Sequence, residues 1–186
     1  MSAAKMKWLV AAAVIAALAG TAPADADDKD RDRGLECKAK LLGANERPTP
    51  VVTNTTGRAS VEFNEDATRA AFKLSVFDGV QLTQAHIHCG DANTAGPIVA
   101  FLAGLFGNST SQDVDGTWIA HATLTADSVI ARAQGAAPGS CPPSAVATLA
   151  DIARLARDGN AYVNAHTKLH PGGEIRGQLV CEEDDD

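Results

Sequence analysis

The sequence predicts a mainly β domain, an antiparallel β-sandwich of about eight short strands with two short helices inserted before the last two strands. Apolar and polar residues alternate in short segments, which is the pattern of half-buried strands. Turns rich in Gly, Pro, Asn and Asp separate these segments. Only 4% of the residues are aromatic, so Ala, Val, Leu and Ile are expected to fill the core. Many short strands with such turns are typical of sandwiches and closed barrels.

The strands follow one another along most of the chain. The segment CKAKLLG (residues 37–43) places Cys37, Ala39 and Leu41 on one face, since side chains two apart share a face. RASVEFN and AAFKLSVF alternate in the same way, and NEDAT between them predicts a hairpin turn. The later predicted strands are TQAHIHC, PIVAFLA, TWIAHATL, NAYVNAHT and GEIRGQLVC.

Two segments carry helical signals instead. TADSVIARAQG offers Thr125 or Asp127 as an N-cap and ends at Gly135. PPSAVATLADIARLARDG begins with a proline and a serine, repeats apolar residues at helical spacing and ends at Gly159. We therefore expect two short helices joined by a Gly/Pro loop that holds Cys141.

The two ends of the chain are expected to lie outside the domain. Residues 1–26 combine two lysines, an apolar run and a small-residue site, ADA, which predicts a cleaved signal peptide and export to the periplasm or medium. The apolar run is shorter than the ~20 residues of a membrane span, so none is expected after cleavage. We assign 27–34 to a charged disordered linker, 35–181 to the domain and 182–186 to an acidic tail. Because the net charge is −7, we expect no basic patch on the surface, which argues against nucleic acid as a partner.

Four cysteines in an exported chain predict two disulfides, with three possible pairings. Cys37 lies on the first predicted strand and Cys181 on the last, both on apolar faces. Cys89 and Cys141 lie in predicted loops. We therefore predict the pairs Cys37–Cys181 and Cys89–Cys141.

Histidines on two strands form the candidate metal site. His86 and His88 share the polar, outer face of their strand, and His166 lies on the polar face of a later strand. If these strands are neighbours, three imidazoles converge, a set that suits copper, zinc or nickel. His170 is a candidate fourth ligand or rim residue. In the alternative, structural interpretation, the imidazoles only hydrogen-bond to neighbouring strands or brace the loop GDANTAG (90–96).

The stretch HPGGEIRGQL (170–179) is better explained by structure than by catalysis. Gly172 and Gly173 predict a tight turn with positive φ angles. Glu174 and Arg176 then share one strand face as a structural pair. Because no nucleophile motif, carboxylate pair or phosphate-binding loop is found, a role other than catalysis is favoured. His121 has no neighbouring motif, and a structural role is expected for it.

Three motifs resemble those of a known family. LLGANERPTPVVTNTTGRASVEF, AHIHCGDANTAGPIVAFL and YVNAHTKLHPGGEIRGQL are similar, in this order, to the opening, central and closing motifs of the CHRD domain, the module first described in chordin. The resemblance implies a β-sandwich-like module, found in bacterial secreted proteins and in an extracellular antagonist of bone morphogenetic proteins. This chain has Cys89–Gly90 where the family often has Gly–Pro, which suggests a local disulfide.

A second resemblance is to copper/zinc superoxide dismutase, which also has a His-x-His strand, a GDNTAG-like loop and a later histidine strand before a Gly-Gly turn. It implies a divergent copper-dependent redox enzyme. The bridging and zinc-binding histidines of that family have no counterparts, because only His121 lies between the two strands. The leading expectation is therefore an exported binding or structural module, whose histidine face is a candidate site for copper or zinc. A metal-free module with an extracellular or periplasmic protein partner is the third possibility.

Overall fold

The computed structural model describes residues 33–104, 117–135, 140–142 and 144–182. The predicted signal peptide, most of the predicted linker and all of the acidic tail after Glu182 lie outside these residues. Residues 33 and 34, assigned to the linker, begin the first strand, and Glu182 ends the last. The strands are β1 Arg33–Leu42, β2 Thr56–Asn64, β3 Ala70–Phe77, β4 Leu82–Cys89, β5 Ile98–Ala103, β6 Thr117–Leu124, β7 Ala161–Thr167, β8 Ile175–Gln178 and β9 Val180–Glu182; the helix is α1 Leu149–Arg157.

All named strands pair antiparallel in one sheet, in the order β5-β4-β7-β8-β1-β2-β3-β6, and β9 also pairs with β1. A single register pair, Leu42 with Arg176, joins β1 to β8, so the sheet has two four-stranded halves that meet at one narrow link. The mainly β, sandwich-like fold of about eight strands is confirmed. The ninth strand arises because the last predicted strand divides at Leu179: β8 pairs with β7, and β9 pairs with β1.

The prediction of the first of the two helices is wrong. Residues 125–135 form one 3-10 turn, Ala126–Ser128, and then continue as extended chain. The amides of Ile130 and Arg132 donate to the carbonyls of Val99 and Val146 at 2.8 Å, so neighbouring chain takes the place of helical hydrogen bonds. The second predicted helix is α1. Its cap is Thr148, whose hydroxyl accepts from the Asp151 amide at 3.2 Å.

The apolar core lies between the two halves of the sheet. The buried residues of β2 and β3 alternate with exposed ones, as predicted, and the apolar face of α1 packs against the same core. Disulfides join Cys37 to Cys181, which are register partners on β1 and β9, and Cys89 to Cys141. These are the two pairings predicted from the sequence. Within the described ranges, no helix is long and apolar enough to cross a membrane.

Candidate metal centre

Polar side chains cover one face of the half-sheet made by β4, β7 and β8. β7 lies between the other two strands, and its register sets the polar residues in rows. The opposite face carries Ala85, Ile87 and Cys89, which belong to the apolar core, as the period of two predicts. The rows are Gln84 beside His166; His86, Asn164 and Arg176; and His88, Tyr162 and Gln178.

This polar face is buried, whereas the sequence predicted an outer face. The side chains of His86, His88 and His166 are only 0%, 8% and 6% exposed. The Gly96 carbonyl of the loop 90–97 contacts His88, and Glu46, in the segment after β1, contacts Asn164 in the same row as His86. The domain therefore has a second, polar core beside the apolar one.

The three histidines that the sequence singled out converge there. One nitrogen from each of His86, His88 and His166 lies within 4.8 Å of the others. His86 Nδ1 and His166 Nε2 are 3.0 Å apart. Two imidazole nitrogens bound to one ion at ~2.0–2.1 Å lie about 3 Å apart, so this pair already has the spacing of two ligands.

Backbone carbonyls fix the tautomers of two of these rings. His88 Nδ1 is 2.8 Å from the carbonyl oxygen of Gly96, and His166 Nδ1 is 2.9 Å from that of Pro171. A carbonyl oxygen only accepts, so each Nδ1 carries a proton and donates it. The lone pair of each ring is therefore on Nε2. Histidines that bind metals are commonly held in this way, with the second ring nitrogen donating to a carbonyl or carboxylate.

Two lone pairs in this cluster lack hydrogen-bond donors. In the metal-free protein His86 Nδ1–H donates to His166 Nε2, which leaves the Nε2 atom of His86 as an acceptor. An ion held by His86 Nδ1 and His166 Nε2 would replace this hydrogen bond, and the His86 proton would then be on Nε2. His86 Nε2 and His88 Nε2 are buried, and no described residue gives either a hydrogen-bond partner. Unsatisfied buried polar atoms are rare and destabilising, and a bound water or a bound ion is a standard explanation. The donor set therefore fits a metal ion.

Electrostatics keep the rings neutral. Burial lowers the pKa of His86 to about 2 and that of His88 to about 4, and it also lowers the pKa of His166. The hydrogen bond to Gly96 opposes the lowering of the His88 pKa, whereas repulsion from His166 and from the positive charges of Arg176 and Arg132 adds to it. At neutral pH each ring therefore presents a lone pair to a cation.

Arg176 holds the loop over the site. This buried guanidinium donates from Nη2 to the carbonyls of Asp91 at 2.6 Å and Thr94 at 3.0 Å. It also lies 3.4 Å from the centre of the Tyr162 ring, and Tyr162 stacks on His88 with ring centroids 4.8 Å apart. The arginine thus links the loop to a metal-ligand candidate through one aromatic ring.

Glu174 and Arg176 were predicted to form a structural pair on one strand face, and the structure gives each of them other hydrogen-bond partners. Both are buried, and each has its own partners. The Glu174 carboxylate accepts from the hydroxyls of Thr53 at 2.6 Å and Thr167 at 2.5 Å. Its role is to tie the turn after β7 to the segment before β2.

Glu46 is a residue that sequence reasoning missed. Its carboxylate accepts from Asn164 Nδ2 at 2.7 Å and is almost fully buried. Burial raises its pKa to about 7, against the opposing charge of Arg176. Glu46 lies within the opening motif LLGANERPTPVVTNTTGRASVEF, but this segment is irregular and has no periodic pattern that would indicate a buried role for it.

Of the remaining residues that the sequence singled out, Gly172, Gly173 and His170 lie in the turn between β7 and β8. Gly173 has φ of 130°, whereas Gly172 is not in the positive-φ region, so the prediction holds for one glycine only. The backbone of His170 donates to Thr167 Oγ1 and accepts from the Gly173 amide, but its ring is not among the three that converge. His121 is exposed on β6, on the other half of the sheet.

The family model of the CHRD domain matches residues 37–179. The chain belongs to the CHRD domain family. The match runs from β1 through β8 and includes all three converging histidines. No curated protein and no solved structure matches the chain. The resemblance to superoxide dismutase therefore rests on the motif alone, and the site of this CHRD domain must be judged from its own geometry.

We predict that the metal-free CHRD domain loses stability as the pH falls from about 6.5 to 4.5. The folded-state pKa values of His86, His88 and His166 lie below the ordinary 6.5, so the unfolded chain binds more protons in this window. Glu46 opposes this, because its raised pKa lets the folded state hold a proton until about pH 7. The two protons that His86 and His88 take up on unfolding, less the one that Glu46 releases, lower the free energy of unfolding by roughly 1.4 kcal/mol per pH unit, and His166 adds to this slope.

Urea unfolding with a chelator present, at pH 7, 6 and 5, measures this dependence. His88→Gln removes one buried imidazole and is expected to reduce the slope. His121→Gln, at an exposed position, leaves the slope unchanged. Equal stability of the parent protein at pH 7 and 5 contradicts the prediction.

Proposed function

We propose that this CHRD domain is an exported binding module that holds one transition-metal ion, copper or zinc, between His86, His88 and His166. The observation that carries the proposal is the convergence of one buried nitrogen from each ring within 4.8 Å, with His88 Nε2 unpartnered among the described residues and with His88 and His166 oriented by backbone carbonyls. Three neutral imidazoles form a set that copper and zinc bind strongly. Two disulfides and the predicted signal peptide support export.

The burial of the site favours a structural role for the ion over a catalytic one. His86 is fully buried, and the side chains of His88 and His166 are only 8% and 6% exposed. A redox enzyme needs a route by which substrate reaches its metal. We therefore expect the bound ion to tie β4 to β7 and to the loop 90–97, and so to stabilise the binding module.

The test is metal retention. The purified protein is stripped with a chelator, incubated with Cu²⁺ or Zn²⁺, desalted and analysed by mass spectrometry for bound metal. One ion per chain is expected, together with a higher melting temperature, since an ion that binds only the folded state stabilises it. Copper-loaded protein is expected to show no superoxide-dependent turnover.

Matched variants make the assignment specific. His88→Gln and His166→Gln each remove one donor and are expected to lower retention at least tenfold. His121→Gln removes an exposed histidine and keeps full retention. Near-UV circular dichroism checks that each variant is folded. A parent protein that retains no metal, or folded His88→Gln and His166→Gln variants that retain a full ion, would overturn the proposal.

A further inference from the structure

A second candidate site lies on the outer face of β1, β2 and β3, on the half of the sheet that does not carry the histidines. We call it the basic face and define it as Lys38, Lys40, Arg58 and Lys73. The register places Lys38 and Lys73 on either side of Ser60, and it places Lys40 directly beside Arg58. The negative net charge predicted that no basic patch would survive, but strand pairing gathers these four cations.

Three of the four cations form no ion pair with a described residue, although Glu36 and Glu62 lie at one end of the same face. Lys38 is paired with Glu36 at 2.9 Å and lies 3.9 Å from Glu182. No described acidic side chain forms an ion pair with Lys40, Arg58 or Lys73. Like charges directly opposite each other on neighbouring strands destabilise a sheet. The arrangement of Lys40 beside Arg58 therefore works against folding, and an anionic ligand would offset it.

A recess of about 520 Å³ lies over this face. All four cations line it, together with the hydroxyls of Ser60 and Ser75 and the half-buried ring of Phe77. Charge, hydrogen-bonding hydroxyls and a concave shape thus coincide at one place, as expected for a ligand surface.

We infer that the basic face binds an extended acidic segment of a partner protein. Lys38 and Lys40 are two residues apart on β1, so they are about 6.8 Å apart along the strand. An extended peptide with carboxylates at alternate positions has the same repeat, because its side chains also share a face every second residue. A peptide that lies along β1 can therefore meet successive cations with successive carboxylates.

The face fits other polyanions less well. Phe77 is the only aromatic residue that lines the recess, whereas single-stranded nucleic acid binds to platforms of several aromatic rings. The negative charge of the whole chain opposes the long-range attraction on which duplex binding depends. The inference does not depend on the metal site, since the two lie on different halves of the sheet.

The experiment uses the full chain and a fluorescein-labelled ten-residue peptide of alternating Glu and Ala, with binding measured by anisotropy. In the test variant, Lys40→Glu, Arg58→Glu and Lys73→Glu are combined. In the control, Arg69→Glu, Arg157→Glu and Lys168→Glu change the net charge equally at exposed positions elsewhere. We expect the test variant to bind at least tenfold more weakly than the parent and the control to stay within twofold to threefold. Binding should also weaken as salt rises.

Three results would overturn the inference. One is no measurable binding by the parent at low salt. Another is equal weakening by the test and control variants, which would show an effect of net charge only. The last is tighter binding of a single-stranded oligonucleotide or a carboxylated polysaccharide than of the peptide, which would assign the face to another class of partner. Unchanged melting temperatures of the variants establish that folding is intact.

Discussion

Replacement of Cys37 and Cys181 together by alanine is expected to lower the free energy of unfolding by about 4–5 kcal/mol. The two residues are 144 positions apart, so the disulfide closes nearly the whole domain into one loop and strongly restricts the unfolded chain. The bond also holds β9 against β1, where only three register pairs form. Urea unfolding under non-reducing conditions measures the effect.

The second disulfide supplies the control. Cys89 and Cys141 are 52 positions apart, so the same loop-closure relation gives their removal a cost about 1 kcal/mol smaller. Cys89 directly follows His88 and ends β4, and we expect its loss also to reduce metal retention. Loss of Cys37–Cys181 should leave metal retention unchanged at temperatures where the variant is folded. If the Cys37/Cys181 variant is as stable as the parent, the bond does not constrain the fold as described.

Gly173→Ala is expected to lower the free energy of unfolding by about 3 kcal/mol and to reduce metal retention. A Cβ atom at this position would lie 2.4 Å from Asn164 Nδ2 and 2.8 Å from a carboxylate oxygen of Glu46. The backbone φ of 130° adds strain for any residue with a side chain. Relief of the clash would shift the turn that carries Pro171, whose carbonyl orients His166.

Gly172→Ala is the matched control, one residue earlier in the same turn. A Cβ atom there meets nothing within 4 Å, and φ is not in the strained region. We expect a change below about 0.5 kcal/mol and full metal retention, since surface substitutions away from special features usually fall in that range. Thermal unfolding and metal analysis of the two variants side by side give the comparison. Equal behaviour of the two would show that the contact with Asn164 and Glu46 does not constrain the turn.

The convergence of the three histidines could be predicted because it depends on simple periodicity. A period of two sets His86 and His88 on one face, and the pairing of β4 with β7 brings His166 beside them. The burial of that face could not be predicted in the same way. It depends on where the loop 90–97 and Glu46 fold back over the sheet, and these segments have no repeating pattern.

The incorrect prediction of a helix at residues 125–135 also has its cause in tertiary contacts that the sequence pattern does not show. Its capping residues do form a local turn, and Thr125 and Ser128 hydrogen-bond to each other as a cap. Residues 129 and 130 lie beside β5, and Arg132 pairs with Val146, so hydrogen bonds to neighbouring segments compete with helix formation. Local propensity is a weak prior in such places, because tertiary pairing can satisfy the same backbone groups.

The loop that covers the histidines is held almost entirely through its main chain. His88, Tyr162, Arg176 and Gln178 all bind its carbonyl oxygens, at Gly90, Asp91, Thr94 and Gly96. Every amino acid supplies the same carbonyl, so the side chains at exposed positions 92 and 93 are free to vary without disturbing the attachment. Relatives could diversify this surface, and a library built on the two positions could present new binding residues on an unchanged scaffold.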